Sequence, residues 1–153
     1  AFAYNNRGYA KSNLKDYQVA IDDYSKAIEI NPQFALAYIN RGIAKRKLGD
    51  TQGAIADYNK VIEINPQDSN AYNNRGIAKS ELKDYQGAIA DLTKAIEINP
   101  QHAKAYANRS VIKMKHGDKR GSCADGKKAA SLGHQPTAQR LNSADGVWCR
   151  NMR

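Results

Sequence analysis

The sequence predicts an all-α solenoid, in which helix-turn-helix units stack side by side into a superhelix closed by a C-terminal capping helix. Three observations carry the prediction. Asn-Pro recurs at Asn31-Pro32, Asn65-Pro66 and Asn99-Pro100, a spacing of 34 residues. Arg-Gly recurs in the same register at Arg7-Gly8, Arg41-Gly42 and Arg75-Gly76, and Arg109-Ser110 continues the series. Residues 35–68 and 69–102 are identical at 23 of 34 positions. A fixed period of this size marks a repeat architecture, in which each unit buries its apolar stripe against its neighbour.

The period divides the chain into units 1–34, 35–68 and 69–102, a degenerate fourth unit over 103–133, and a capping helix and tail over 134–153. Each unit holds two helical patterns. In the first unit Tyr4, Gly8, Lys11 and Leu14 share one face, and Tyr17, Ala20, Ile21, Tyr24, Ala27 and Ile28 repeat with the same period in the second half. The break between them falls at Lys15-Asp16, Gly49-Asp50, Lys83-Asp84 and Gly117-Asp118. An Asp there accepts a bond from the unpaired amides that open the second helix, and its charge suits that helix end. Proline then ends the second helix and suits the first turn of the next.

This pattern resembles the tetratricopeptide repeat, whose units place aromatic residues, a glycine, alanines and a closing proline at fixed offsets. The matching residues are Tyr4, Gly8, Ala20, Tyr24, Ala27 and Pro32; then Tyr38, Gly42, Ala54, Tyr58, Val61 and Pro66; then Tyr72, Gly76, Ala88, Leu92, Ala95 and Pro100. The near-identical units and Asn-Pro junctions are similar in style to bacterial, often cyanobacterial, arrays. The resemblance implies a right-handed superhelix whose leading helices line a concave groove. Glycine and alanine let the paired helices approach, and aromatic rings fill the space between units.

Two positions depart from the family pattern. Arg7, Arg41, Arg75 and Arg109 stand where an apolar residue is usual, on the side that faces the second helix. A buried guanidinium requires a partner, and each second helix supplies one: Asp23, Asp57, Asp91 and Asp125. The expectation is a structural Arg–Asp pair within each unit. Lys11, Lys45, Lys79 and Lys113 also depart from the pattern, and are expected to lay their stems on the core with the charges in solvent.

The fourth unit decays. Ser110 replaces the glycine, and Gly126 stands where Tyr24, Tyr58 and Leu92 stand in the others. Leu132-Gly133 marks a helix stop, and residues 137–144 after Pro136 suit a short last helix that solvates the end of the array. Gly126 leaves an aromatic-sized gap, into which Trp148 is expected to fold. If the tail folds back, Cys123 and Cys149 come within reach of a disulfide, which would point to an oxidising compartment; two free thiols are the alternative.

Hydrophobic residues make up 41% of the 153 and charged residues 25%, a globular composition. No apolar run approaches the ~20 residues that span a bilayer. Two cysteines and three scattered histidines (His102, His116, His134) offer no metal cluster, and no cofactor is implied. Residues 1–102 carry 13 Lys and Arg against 12 Asp and Glu, whereas residues 103–153 carry 11 against 3, so +8 of the net +9 belongs to the C-terminal third. A field of that sign favours an acidic partner, an anionic surface or nucleic acid. Ala1 falls inside a repeat, so the natural chain is expected to continue upstream. The compartment stays open, cytoplasmic by default.

The groove-facing side of the leading helices carries Asn6, Tyr9, Asn40, Ile43, Lys47, Asn74, Ile77, Lys104, Asn108, Val111 and Lys115. An asparagine occupies one position in all four units. Its amide both donates and accepts, and so suits the backbone of an extended peptide. Arrays of this family that grip extended peptides use a similar asparagine row. A subfamily clamps the acidic C-termini of heat-shock chaperones with Lys and Asn, then Asn, then Lys and Arg. Asn40 matches the middle residue, but Asn5, Tyr9, Asn70 and Asn74 replace the others. One unit later Asn74 and Lys104 match, with Ile39 and Ile43 in front, so neither frame completes the clamp. No nucleophile-base pair, phosphate loop or metal set emerges, so catalysis is not expected. The expected function is a protein-interaction scaffold, holding an extended peptide in an assembly or adaptor role, with an acidic peptide suited to the basic charge. Binding of nucleic acid or an anionic surface through the basic C-terminal third is the alternative, and self-association, with one chain's tail in another's groove, is a further one.

Overall fold

The computed structural model describes residues 1–143 and 146–151, with the backbone alone for Trp148 and Arg150. Eight helices form four antiparallel pairs: α1 (Phe2–Asn13) with α2 (Tyr17–Ile30), α3 (Ala35–Lys47) with α4 (Thr51–Ile64), α5 (Ser69–Glu81) with α6 (Tyr85–Ile98), and α7 (Ala103–Lys115) with α8 (Lys119–Ser131). Two short helices follow, α9 (Gln135–Asn142) and α10 (Val147–Arg150). Each helix packs on the next in sequence, and the leading helices also touch along the array, α1 on α3, α3 on α5 and α5 on α7. That closer row is the inner side of an α-α solenoid. No helix among the described residues is long and apolar enough to cross a membrane.

The glycines set how closely a pair can approach. A Cβ on Gly42 would sit 2.6 Å from Cε1 of Tyr58, and one on Gly8 2.8 Å from Cε1 of Tyr24. The tyrosine ring therefore lies directly on the backbone of the leading helix, and both tyrosines are buried. The fourth pair reverses the arrangement. Ser110 is fully buried and donates to the Ser122 carbonyl at 2.7 Å, and the small residue, Gly126, is on α8 instead. The expected aromatic-sized gap is thus absent. Ser110 closes it from one side, and Leu141 and Thr137 of α9 close it from the other. The side chain of Trp148, expected there, lies outside the described residues.

The helix ends follow local chemistry. Asp50, Asp84 and Asp118 accept from the amides of Gly53, Gly87 and Gly121 at 2.8, 2.9 and 2.8 Å. Asp16, expected to do the same, makes no side-chain cap bond. Its partner position holds Val19, and a Cβ at the equivalent glycines would fall on the capping carboxylate. Asn31, Asn65 and Asn99 end the second helices in extended conformation, the geometry forced on a residue before proline. Their side chains accept from the amides of Gln33, Gln67 and Gln101. Proline therefore sits in the connecting turn and not, as expected, in the first turn of the next helix, which opens at Ala35, Ser69 or Ala103.

The last helix begins two residues before the expected start. His134 caps it by accepting from Thr137, and Pro136 occupies its first turn, where no amide needs a partner. Cys123 of α8 and Cys149 of α10 are joined by a disulfide, with both residues buried.

The turn inside each pair requires a left-handed residue. Gly49 and Gly117 adopt φ of 88° and 91° there, as Gly133 does at 86° in the turn from α8 to α9, but Lys15 and Lys83 hold φ of 64°. A side chain in this region costs about 1–2 kcal/mol. Lys83→Gly is expected to raise stability by about 1 kcal/mol in chemical denaturation, with Gly49→Ala lowering it. Alkaline pH should act in the opposite direction. Burial pushes the Tyr24 and Tyr58 phenols up to about 12. Their contribution to stability is complete below the ordinary phenol value and is lost as pH rises through the raised one. Thermal melts should therefore fall between roughly pH 10 and 12, and Tyr58→Phe should reduce the fall.

Candidate functional site: the groove and the clasps behind it

Behind the leading helices each unit is locked by one repeated clasp. Arg7, Arg41, Arg75 and Arg109 each hold an aspartate of the second helix with two parallel bonds. Nε donates to Asp23, Asp57, Asp91 and Asp125 at 2.8, 3.0, 2.8 and 2.8 Å, and Nη2 donates to the other oxygen of the same carboxylate. The guanidinium also lies over the tyrosine one turn earlier, at 5.2 Å for Arg7 on Tyr4 and 5.7 Å for Arg109 on Tyr106. Arg7 holds the Asp23 carboxyl below the usual range through its hydrogen bonds, and Asp91 raises Arg75 likewise.

Two contacts go beyond the expected pair. Nη1 reaches back to the preceding unit, from Arg41 to Ser25, Arg75 to Asn59 and Arg109 to Thr93, at 3.0, 2.7 and 2.9 Å. One side chain thereby fixes a helix pair and its junction with the neighbour. Three of the four lysines expected in solvent are in fact second partners of the same carboxylates: Lys45 to Asp57, Lys79 to Asp91 and Lys113 to Asp125, at 3.0, 2.9 and 2.9 Å. Each stem is long enough to cross to the neighbouring helix, and the buried carboxylate has lone pairs left.

On the inner side, the expected asparagine row is not a set of independent amides. Asn40 donates to Asn5 at 3.0 Å, and Asn5 donates weakly to Asn6 at 3.5 Å. Asn108 donates to Asn73 at 2.9 Å, and Asn73 donates to Asn74 at 3.3 Å. Asn5 and Asn73 are buried; sequence reasoning missed them as groove residues because their position is filled by Ile39 and Ala107 in the other two units. Each relay orients the amides it joins. Asn40 and Asn108 spend one N–H and keep the carbonyl oxygen for another donor. Asn6 and Asn74 accept at the oxygen and keep both N–H groups.

Apolar and charged groups complete the wall. Ile43 and Ile77 are half-buried; Tyr9 and Val111 are exposed. Ile77, Ser80 and Glu81 of α5 face Asn108, Val111, Ile112 and Lys115 of α7 across a shallow cleft. Lys47 and Lys104 are exposed, and Lys104 stands at the opposite end of α7 from Lys115, about 16 Å away by helix rise. Arg46 pairs with Glu81 of the next unit, the sole acid in α1, α3, α5 and α7.

Three successive segments, residues 1–34, 35–68 and 69–102, match the tetratricopeptide repeat family model. The chain is a tetratricopeptide-repeat protein. Its fold is also that of solved tetratricopeptide structures. MamA aligns with a TM-score of 0.81 at 23% identity, over 95% of this chain and 79% of that one. The first tetratricopeptide domain of Spaghetti (RPAP3), bound to the HSP90 peptide SRMEEVD, aligns with a TM-score of 0.72 at 24% identity, over 75% and 91%. The Arabidopsis OM64 domain aligns with 0.71 at 29%, over 74% and 93%. No curated protein matches the sequence. A tetratricopeptide fold supports a protein-interaction scaffold.

The clasp predicts a graded response. Arg41 is 18% exposed against 59% for Arg7. Asp57→Ala strands Arg41 and Lys45 together and is expected to cost about 3–5 kcal/mol. Asp23→Ala, whose arginine reaches water, should cost distinctly less. Urea denaturation of the two variants gives the comparison.

Proposed function

We propose that the groove holds an extended acidic segment of another protein, in an assembly or adaptor role. The observation that carries this reading is the charge of the inner wall. The leading helices contain one acid, Glu81, already paired with Arg46. In the second, third and fourth units an arginine and a lysine share each clasp aspartate, so each such cluster keeps a net positive charge. Lys47, Lys104 and Lys115 add exposed cations that have no ion pair among the described residues. The oriented amides supply main-chain recognition: Asn40 and Asn108 accept from peptide N–H groups, and Asn6 and Asn74 donate to peptide carbonyls. An aliphatic side chain fits the cleft over Ile77, Val111 and Ile112. The Spaghetti domain, bound to the HSP90 peptide SRMEEVD, supports a peptide ligand for this fold. The incomplete clamp residues here favour recognition spread along the groove over capture of one chain terminus.

The test is fluorescence anisotropy with labelled extended peptides that place an aliphatic residue between acids, and matched peptides with lysine in place of the acids. The acidic set should bind. Lys47→Glu with Lys115→Glu should weaken binding about tenfold or more, about 1.4 kcal/mol. Asn40→Ala with Asn74→Ala, and separately Asn73→Ile, should weaken it with helicity retained. Equal binding of both peptide sets, or binding unchanged by these substitutions, would remove the groove as the site.

A further inference from the structure

The backs of the helix pairs are copies of one another in charge until the last. Asp22, Lys26 and Glu29 occupy the outward positions of α2, while Lys60 pairs with Glu63 on α4 and Lys94 with Glu97 on α6. These three backs are close to neutral. On α8 every change runs the same way. Lys119 stands where Tyr17, Thr51 and Tyr85 stand, and Arg120 replaces Gln18, Gln52 and Gln86. Lys127 replaces Ser25, Asn59 and Thr93. Lys128 is retained, but the acid three residues on has become Ser131, whose hydroxyl turns back to the Lys128 carbonyl.

The acids of α8 are committed elsewhere. Asp118 caps the helix, and Asp125 is buried under Arg109 and Lys113. Lys119, Arg120, Lys127 and Lys128 are all exposed, and none has a carboxylate partner among the described residues. At about 100° per residue, Arg120 and Lys127 point the same way, Ala124 and Ser131 lie close to that line, and Lys119 and Lys128 flank it on either side. In an array otherwise built by copying, one helix has gained three cations and lost one acid on its outer face. The core does not require this, since the clasp and the cap use other residues.

We propose that the outer face of α8 docks on an anionic phospholipid surface. Three of the four cations are lysines, point charges on flexible stems that suit diffuse headgroup charge better than a fixed fork of oxygens. The strip is the outside of a helix with small residues along its midline. It can lie against a plane, and it has no concave wall to enclose a strand. It carries no aromatic side chain for base stacking and no Asn or Gln for base edges. A negative leaflet attracts such a basic strip within a Debye length. Docking by the back leaves the groove, on the leading helices, open to a partner.

The experiment is co-sedimentation of the whole chain with phosphatidylcholine vesicles that contain or lack phosphatidylserine, across a salt series. The chain should bind the phosphatidylserine vesicles, fail to bind those without it, and release as salt rises. Replacing all four cations, K119Q, R120Q, K127Q and K128Q, should weaken binding at least about tenfold, with helicity and melting retained. The groove variant with Lys47→Glu and Lys115→Glu should keep most of the vesicle binding, which separates this surface from the peptide site. No binding to phosphatidylserine vesicles, or undiminished binding by the fourfold variant, would overturn the proposal. So would tighter binding of single-stranded RNA or duplex DNA at the same salt, lost in the same variant, which would assign the strip to nucleic acid.

Discussion

The arginine in the leading helix of each unit is the interaction on which the array depends. A helix pair of this size cannot bury enough apolar surface by itself, and stability comes from stacking. Aliphatic contacts between units would stack them without fixing their angle. A planar guanidinium bonded through Nε and Nη2 to its own unit, through Nη1 to the preceding one, and covered on one face by a tyrosine leaves little freedom for either helix. The exposure of the arginines follows from this. Arg41, Arg75 and Arg109 are 18%, 19% and 14% exposed, while Arg7, with no preceding unit among the described residues, is 59% exposed.

The clasp also has an electrostatic consequence on the opposite side of the helix. A buried carboxylate that receives both an arginine and a lysine is over-neutralised, and the surplus positive charge sits on the leading helices. Acids are therefore concentrated on the second helices and at the caps, while the inner wall is basic even in units whose overall composition is balanced. Under the proposed reading, structural and recognition roles are coupled in this way, and the charge of the partner would be set partly by residues that never face the groove.

The fold was legible because its determinants recur every 34 residues, and repetition turns weak local signals into a strong one. The Arg–Asp pairing could be argued from a single helical turn and the cost of a lone buried charge. What escaped lies where copies differ or where reach matters. Asn5 and Asn73 share a position with Ile39 and Ala107, so no period marks them, yet they orient the asparagine row. The lysines' second bond depends on stem length across two helices, which a helical wheel does not contain. Asp16 makes no cap bond where Val19 replaces the glycine found in the other three units. At Gly126 a vacancy was expected from one side chain, but the space depends on three elements, α7, α8 and α9.

The lateral bridges between leading helices differ from junction to junction, and this bears on how the groove can respond to a ligand. The first is joined by Asn40 and Asn5, the second by Arg46 and Glu81, and the third by Asn108 and Asn73. All three link residues 35 apart, one unit plus one position, so they run obliquely across the groove floor. The outer two are neutral amide pairs, held at one buried end and continued into Asn6 and Asn74. The middle one is an ion pair with half-exposed partners, which water and salt weaken more readily. A ligand carrying an acid near Arg46 would compete with Glu81 for it, whereas the amide pairs offer no charge to exchange. On the proposed reading, a ligand acid would therefore act first on the junction between the second and third units, the one lateral bridge built from charges.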